Sequence, residues 1–249
     1  MVEAPGSGTG ESRQRWRVAF ARGEPLLDLA QPEIATIWEE AFRGAALPVA
    51  MSQGQSPRPR LAFAAPLPIG MPAEHELLDA ILGARVPLAT VRESLSGIVP
   101  AGLRVVDLFD VWMGEPALPA ALAAADYRVA VADPTSDALE LASRRILATQ
   151  ALPRERIKGE GRTIRYDLRP LILSISVTGP TQLPGTGRAP AIGPAPDPLL
   201  RMRLRHAQDG GIGRPGEVLL ALGEVLGRPV DAGTTIRERL WTADELQPV

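Results

Sequence analysis

The chain has 249 residues, 45% of them hydrophobic and 22% charged, with a formal net charge of -2 and no cysteine. This length suits one large domain or two ordinary ones, and the composition is that of a globular protein rather than a disordered one. The lack of cysteine excludes disulfides, a cysteine nucleophile, a thiolate zinc site and a cysteine-ligated iron–sulfur cluster within these residues.

Residues 1–14 are polar and Gly/Ser-rich, with no apolar core, and are expected to form a disordered tail rather than a signal peptide or anchor. Residues 15–21 (RWRVAFA) alternate, with Trp16, Val18 and Phe20 on one face, which predicts a half-buried strand. Over 32–45, Ile34, Ile37, Trp38, Ala41 and Phe42 recur at helical spacing behind Pro32, which suits a first turn. The proline-punctuated stretch 48–72 reads as irregular, with short strands near 49–51 and 61–64. A strand follows at 76–82, whose pattern also fits a short helix, then a helix at 88–95 and a strand at 103–112. The longest apolar stretch, 61–71, is interrupted by Pro66 and Pro68 and falls far short of the roughly 18 residues of a membrane span. A cytoplasmic location is expected.

After a Pro/Ala-rich stretch at 116–125 the same order begins again. A strand is expected at 127–132, a helix at 135–149 with Thr135 or Ser136 as N-cap, and a hairpin of strands 154–158 and 163–167 around Gly159-Glu160-Gly161. Strands at 171–177 and 199–206, a helix at 215–226 and a strand at 235–241 complete it. Residues 178–198 hold six prolines and four glycines and read as a flexible insertion. The expected fold is therefore α+β: two tandem ferredoxin-like (βαββαβ) units, over 15–115 and 126–249, with a Pro/Gly-rich insertion in the second.

Most residues that suggest chemistry have a plainer explanation. Gly6, Gly8 and Gly10 have no strand before them and no helix after, so they lack the geometry of a phosphate loop. His75-Glu76-Leu77-Leu78-Asp79 approaches a zinc-protease pattern, but its second histidine is Asp79, and two ligands do not make a zinc site. Paired carboxylates at Glu39/Glu40 and Glu74/Glu76 read as a solvated face. No catalytic residue, metal site or cofactor is assigned.

The basic residues are more suggestive, although they are 26 Arg and Lys158 alone, a bias that GC-rich coding explains as readily as a need for guanidinium. Between Arg144 and Arg169 eight basic residues face three acids. Arg154, Arg156 and Lys158 alternate along one strand, with Arg162 across the turn, and Arg201, Arg203 and Arg205 alternate along another. Each set shares a face that either meets solvent or lays a phosphate-binding surface on a sheet. The segment Ser52-Gln53-Gly54-Gln55-Ser56-Pro57-Arg58-Pro59-Arg60 joins a flexible glycine, a stiff Pro57/Pro59 pair and two spaced cations, so it is either a plain turn or a loop displaying Arg58 and Arg60.

The segments Leu47-Pro48-Val49-Ala50-Met51-Ser52-Gln53-Gly54, Pro57-Arg58-Pro59-Arg60, Pro66-Leu67-Pro68-Ile69-Gly70 and Glu76-Leu77-Leu78-Asp79 resemble the bacterial radical SAM-linked protein family, a domain of unknown function. Ile157-Lys158-Gly159, Tyr166-Asp167-Leu168-Arg169-Pro170 and Arg214-Pro215-Gly216-Glu217-Val218-Leu219 are similar to its second half. The resemblance implies a partner, a radical SAM protein with a cobalamin-binding-type domain, and an accessory role, with RNA modification as a candidate process. The chain departs from that pattern near Leu26–Leu29, at Gln55 and at Arg58, where the resemblance leads one to expect a histidine, an aromatic residue and a histidine. Three functions stay open: a non-catalytic accessory that binds or presents RNA, a metal-independent ribonuclease of tandem ferredoxin-like fold, and a purely protein-binding module.

Overall fold

The computed structural model describes residues 13–159, 161–178, 198–207 and 211–246. The expected tail lies outside them up to residue 12, and the expected insertion lies outside them apart from Thr178 and Pro198. The elements run β1 (Gln14–Arg22), α1 (Gln31–Gly44), β2 (Leu61–Phe63), β3 (Ala73–Leu82), α2 (Leu88–Ser96), β4 (Leu103–Val111), α3 (Leu118–Ala121), β5 (Leu122–Asp133), α4 (Ser136–Ala148), β6 (Pro153–Lys158) and β7 (Arg162–Asp167). They continue β8 (Ile172–Thr178), β9 (Leu199–Ala207), β10 (Gly211–Ile212), α5 (Pro215–Leu226), β11 (Asp231–Ala232), β12 (Ile236–Thr242) and α6 (Ala243–Leu246). The fold is α+β, and the chain divides into two compact units, Met1–Gly70 with Glu76–Pro119 and Met71–His75 with Ala120–Val249.

In the first unit the strands lie in the order β2-β3-β1-β4, with β4 antiparallel to β1 and β2 antiparallel to β3. Helix α1 starts where the Glu33 carboxylate accepts the backbone N–H of Ala30 at 2.7 Å. Its Ile34, Trp38, Ala41 and Phe42 form one stripe that is buried together with Trp16, Val18 and Phe20 of β1. Phe20 meets Trp38 edge-on, with ring centroids 5.0 Å apart, and Phe63 at 6.3 Å. The segment 49–51, expected as a strand, makes only the isolated pairings Val49↔Leu82 and Met51↔Pro59. Pro48, Pro57 and Pro59 remove the N–H donors that a continuous ladder needs.

In the second unit the order is β8-β9-β5-β12, followed by Ala73 of β3 parallel to Arg237, so this sheet is mixed. Helices α4 and α5 bury Leu139, Ala142 and Ile146, and Val218, Ala221 and Leu222. Helix α4 follows Thr135 as expected, although the hydroxyl makes no capping bond. Strands β6 and β7 form a separate two-stranded hairpin. Part of the stretch read as a Pro/Ala linker is in fact ordered, with α3 at Leu118–Ala121 and β5 beginning at Leu122. Its alanines conceal the strand because Ala124 and Ala125 are fully buried small residues, without the β-branched signature that marks a strand by composition.

Candidate functional site

The loop after α1 is tied down at its base and free at its tip. The Ala50 N–H donates to Ile81, that of Ile81 to Arg60, and that of Arg60 back to Ala50, at 2.7, 3.1 and 2.8 Å. Ser52 closes the stem twice: its N–H donates to the Arg58 carbonyl at 2.8 Å and its hydroxyl oxygen accepts the Arg58 N–H at 2.9 Å. Gln53, Gly54 and Pro57 form the exposed tip, where Gly54 has φ +130°, a conformation that side chains rarely adopt. Arg58 and Arg60 are exposed, and neither side chain has a carboxylate partner among the described residues.

Beside this stem the first unit holds a cavity of about 490 Å³, walled by Leu61, Ala62, Ile81, Met113 and Leu118, with Ser52, Pro59 and Arg60 on the loop side. Three of the resemblance-bearing segments thus converge there, through Ser52, Pro59 with Arg60, and Asp79. The floor carries charge. Asp79, only 2% exposed, accepts the Arg15 Nε–H at 2.7 Å and the Arg17 Nε–H at 2.8 Å, with Arg17 Nη2 at 3.1 Å. Both carboxylate oxygens are occupied by guanidinium donors, and a second carboxylate, that of Glu115, lines the same cavity.

Arg15 goes on to donate to the carbonyls of Glu115 and Pro116 at 3.0 and 2.8 Å, pinning the turn that starts at Trp112. That turn is closed by the Glu115 N–H on the Trp112 carbonyl at 3.1 Å. Trp112 is 74% exposed, and its ring folds over Gly114, where an added Cβ would lie 2.4 Å from the indole. Sequence reasoning missed Arg15, Met113 and Glu115, which line the cavity, and Arg17, which holds Asp79. The available signal was Asp79, a single acid inside the apolar run Leu77–Leu82, since a buried carboxylate requires cationic partners.

The second unit brings its predicted cations together but largely neutralises them. On β9, register places Arg203 opposite Asp126 and Arg201 opposite Arg128. Arg203 makes a bidentate pair with Asp126 at 2.7 and 2.8 Å and lies over the Trp241 ring, 4.5 Å from its centroid. Arg239 stacks on the same indole at 3.9 Å. Arg201 approaches Glu238 at 3.4 Å, and Arg128 bonds Glu74 and Glu238. Arg205 is exposed with no carboxylate partner among the described residues.

In the hairpin, Arg154 pairs with Glu224 of α5 at 2.8 Å and Arg156 lies 5.5 Å from the Tyr166 ring centroid, while Ile157, 78% exposed, takes the solvent side. Arg154 and Arg156 therefore share a face, as alternation requires, but it is the packed face. Arg162 sits exposed near the turn, and of Lys158 the backbone pairing with Arg162 is described. Tyr166 donates to Glu217, whose carboxyl is pushed above its ordinary value by burial and pulled back by Arg156 and Arg154. Burial, aided by the charge of Arg237, pushes the His206 imidazole down to about 4.

Among the described residues no helix is long and apolar enough to cross a membrane. Three solved structures are similar in shape. A Cbf5–Nop10–Gar1 complex matches at 10% identity and TM-score 0.47, over 92% of this chain and 50% of that one. An archaeal box H/ACA sRNP Nop10–Cbf5 complex matches at 10% and 0.41, over 89% and 46%. An H/ACA RNP bound to a substrate RNA containing 2′-deoxyuridine matches at 11% and 0.39, over 88% and 46%. This chain spans about half the length of the solved chains it matches, and likeness at this level carries no information on activity. No curated protein matches the sequence. Residues 15–209 match a family model across most of the chain, and the protein belongs to the family described as an uncharacterized protein conserved in bacteria (DUF2344).

Proposed function

We propose that this protein is a non-catalytic accessory that binds RNA and serves a radical SAM enzyme. The observation that carries the RNA reading is the Arg58/Arg60 loop. It has two guanidinium groups without carboxylate partners among the described residues, on a stem held by Ser52 and stiffened by Pro57 and Pro59, at the edge of an open cavity. Such cations lose little on meeting phosphate, because no internal ion pair has to break first. Arg205 and Arg162 offer the same on the second unit, whereas Arg154, Arg201 and Arg203 must first leave Glu224, Glu238 and Asp126.

The radical SAM partnership rests on the resemblance of the motif segments. These residues contain no cysteine, so they do not themselves supply the thiolates of an iron–sulfur cluster. A metal-independent ribonuclease would need a base that titrates near neutrality, and His206, depressed to about 4, is poorly suited. We also read both units as ferredoxin-like. Supporting this are the orders β2-β3-β1-β4 and β8-β9-β5-β12, each along a βαββαβ segment, with β6 and β7 inserted in the second. An experimental structure with a different strand order would overturn it.

The functional reading is tested by retention of labelled RNA on a filter at low salt, with Arg58→Ala/Arg60→Ala in parallel. Loss in the variant supports it, and undiminished retention by the variant removes the loop from the account. Co-purification with a radical SAM protein, unchanged by ribonuclease, tests the partner.

A further inference from the structure

We infer that the cavity of the first unit binds a small zwitterion with an apolar body, an apolar α-amino acid or dipeptide, whose carboxylate meets Arg60 and whose ammonium meets Glu115. This goes beyond the RNA-binding reading and does not rest on it.

The observation behind it is a pair of unlike charges that line one cavity and do not pair. Arg60 comes from the loop stem and Glu115 from the turn after β4. Both are exposed, and neither side chain forms an ion pair among the described residues, so they do not neutralise each other. The other charges of the lining are Arg15 and Asp79, and these are spent on each other, at 2.7 Å, with Arg17 on the second oxygen of Asp79 at 2.8 Å. A plain anion at Arg60 would face the Glu115 carboxylate, and a plain cation at Glu115 would face the Arg60 guanidinium. A ligand carrying both charges satisfies the two together.

The backbone under both charges is fixed before any ligand arrives. The Arg60 N–H donates to the Ala50 carbonyl at 2.8 Å and its carbonyl accepts the Ile81 N–H at 3.1 Å, while the carbonyls of Glu115 and Pro116 accept the Arg15 guanidinium at 3.0 and 2.8 Å. Their ordering cost is therefore already met in the free protein. Much of the remaining wall is apolar, through Leu61, Ile81, Met113 and Leu118, and the thioether of Met113 adapts to aliphatic and aromatic side chains alike. A few polar groups around an apolar wall, in a space of about 490 Å³, is the pattern of a small-ligand pocket. Arg60 also belongs to the RNA surface, so a bound carboxylate and an RNA phosphate compete for it.

The test is isothermal titration of the full chain, freed of RNA, with millimolar L-leucine and L-leucyl-L-leucine. Three probes that lack one or both charges are run beside them: leucinamide, N-acetylleucine and N-acetylleucinamide. The parent, Arg60→Gln and Glu115→Gln are compared, and because both side chains are exposed the melting temperature should stay unchanged. At least one zwitterion is expected to give a saturable heat. Either substitution, or removal of either charge from the ligand, should weaken binding about 10- to 100-fold, the scale of one hydrogen bond between charged groups. The losses should also match end to end: a ligand stripped of its carboxylate loses nothing more to Arg60→Gln, and one stripped of its ammonium loses nothing more to Glu115→Gln.

Tighter binding of the dipeptide would identify a short peptide as the ligand, and binding of leucine at least as tight would identify the free amino acid; either supports the inference. If neither zwitterion gives a saturable heat, if N-acetylleucinamide binds as tightly as they do, or if both variants bind them as the parent does, the inference is overturned, whatever RNA retention shows.

Discussion

Replacing Asp79 with Asn removes one charge from the centre of the first unit and probes the floor on which the candidate site is built. Asp79 is 2% exposed, and it accepts three guanidinium N–H bonds, of 2.7, 2.8 and 3.1 Å, on two oxygens. Asparagine keeps one acceptor and turns its amide NH₂ towards an arginine, so it loses the bonds to one oxygen and leaves two buried guanidinium groups facing a neutral partner. Breaking a buried pair in this way costs about 3–5 kcal/mol, a large share of the roughly 5–15 kcal/mol that stabilises a domain. Trp16 and Trp38, both in the core of this unit, report its unfolding in urea through their fluorescence. The expected result is a lower midpoint, with loosening of the turn from Trp112 to Glu115 seen in the exposed indole. A loss below about 1 kcal/mol, the scale of a solvated surface pair, would refute the reasoning.

Trp38 is fully buried between α1 and β1, and Trp38→Ala should cost about 3–5 kcal/mol in the same urea experiment. His206 gives a pH signature. Its folded value of about 4 lies below its ordinary value near 6.5, so as pH falls from 6.5 towards 4 the unfolded chain takes up a proton that the folded one resists. Stability should drop by roughly 3 kcal/mol across that window, and His206→Asn should remove this dependence when unfolding is measured at pH 7 and pH 4.5. The two arginines of β9 should separate. Arg203→Ala breaks the bidentate pair with Asp126 and should cost about 1 kcal/mol in thermal unfolding, after allowance for solvent screening. Arg205→Ala leaves stability unchanged and weakens RNA retention instead.

Elements with a strong period are readable without coordinates. The stripe from Ile34 to Phe42 requires a helix, and the alternation of Arg201, Arg203 and Arg205 with Met202 and Leu204 requires a half-buried strand. Composition misleads where packing rather than propensity decides. Ala124 and Ala125 read as linker because their small size, needed inside the sheet, carries no strand signal. Alternation also says which residues share a face but not which face is packed, so Arg154 and Arg156 were expected at the surface and lie against α5 and Tyr166. The site is legible in the same uneven way. Ser52, Pro59 and Arg60 stand out as a local motif, whereas Arg15 meets Asp79 across 64 positions of sequence, a pairing that only the strand order β3-β1 creates.

The central claim, that Arg58 and Arg60, which lack carboxylate partners among the described residues, mark an RNA-binding surface, is tested most directly by filter retention of total cellular RNA at about 50 and 200 mM salt. The parent, Arg58→Ala/Arg60→Ala and Arg201→Ala/Arg203→Ala/Arg205→Ala would be compared. The account predicts retention that falls as salt rises, is largely lost in the loop variant, and is reduced less in the β9 variant, whose cations are mostly committed to internal carboxylates. No retention at 50 mM, or a loop variant that retains RNA as well as the parent, would contradict it.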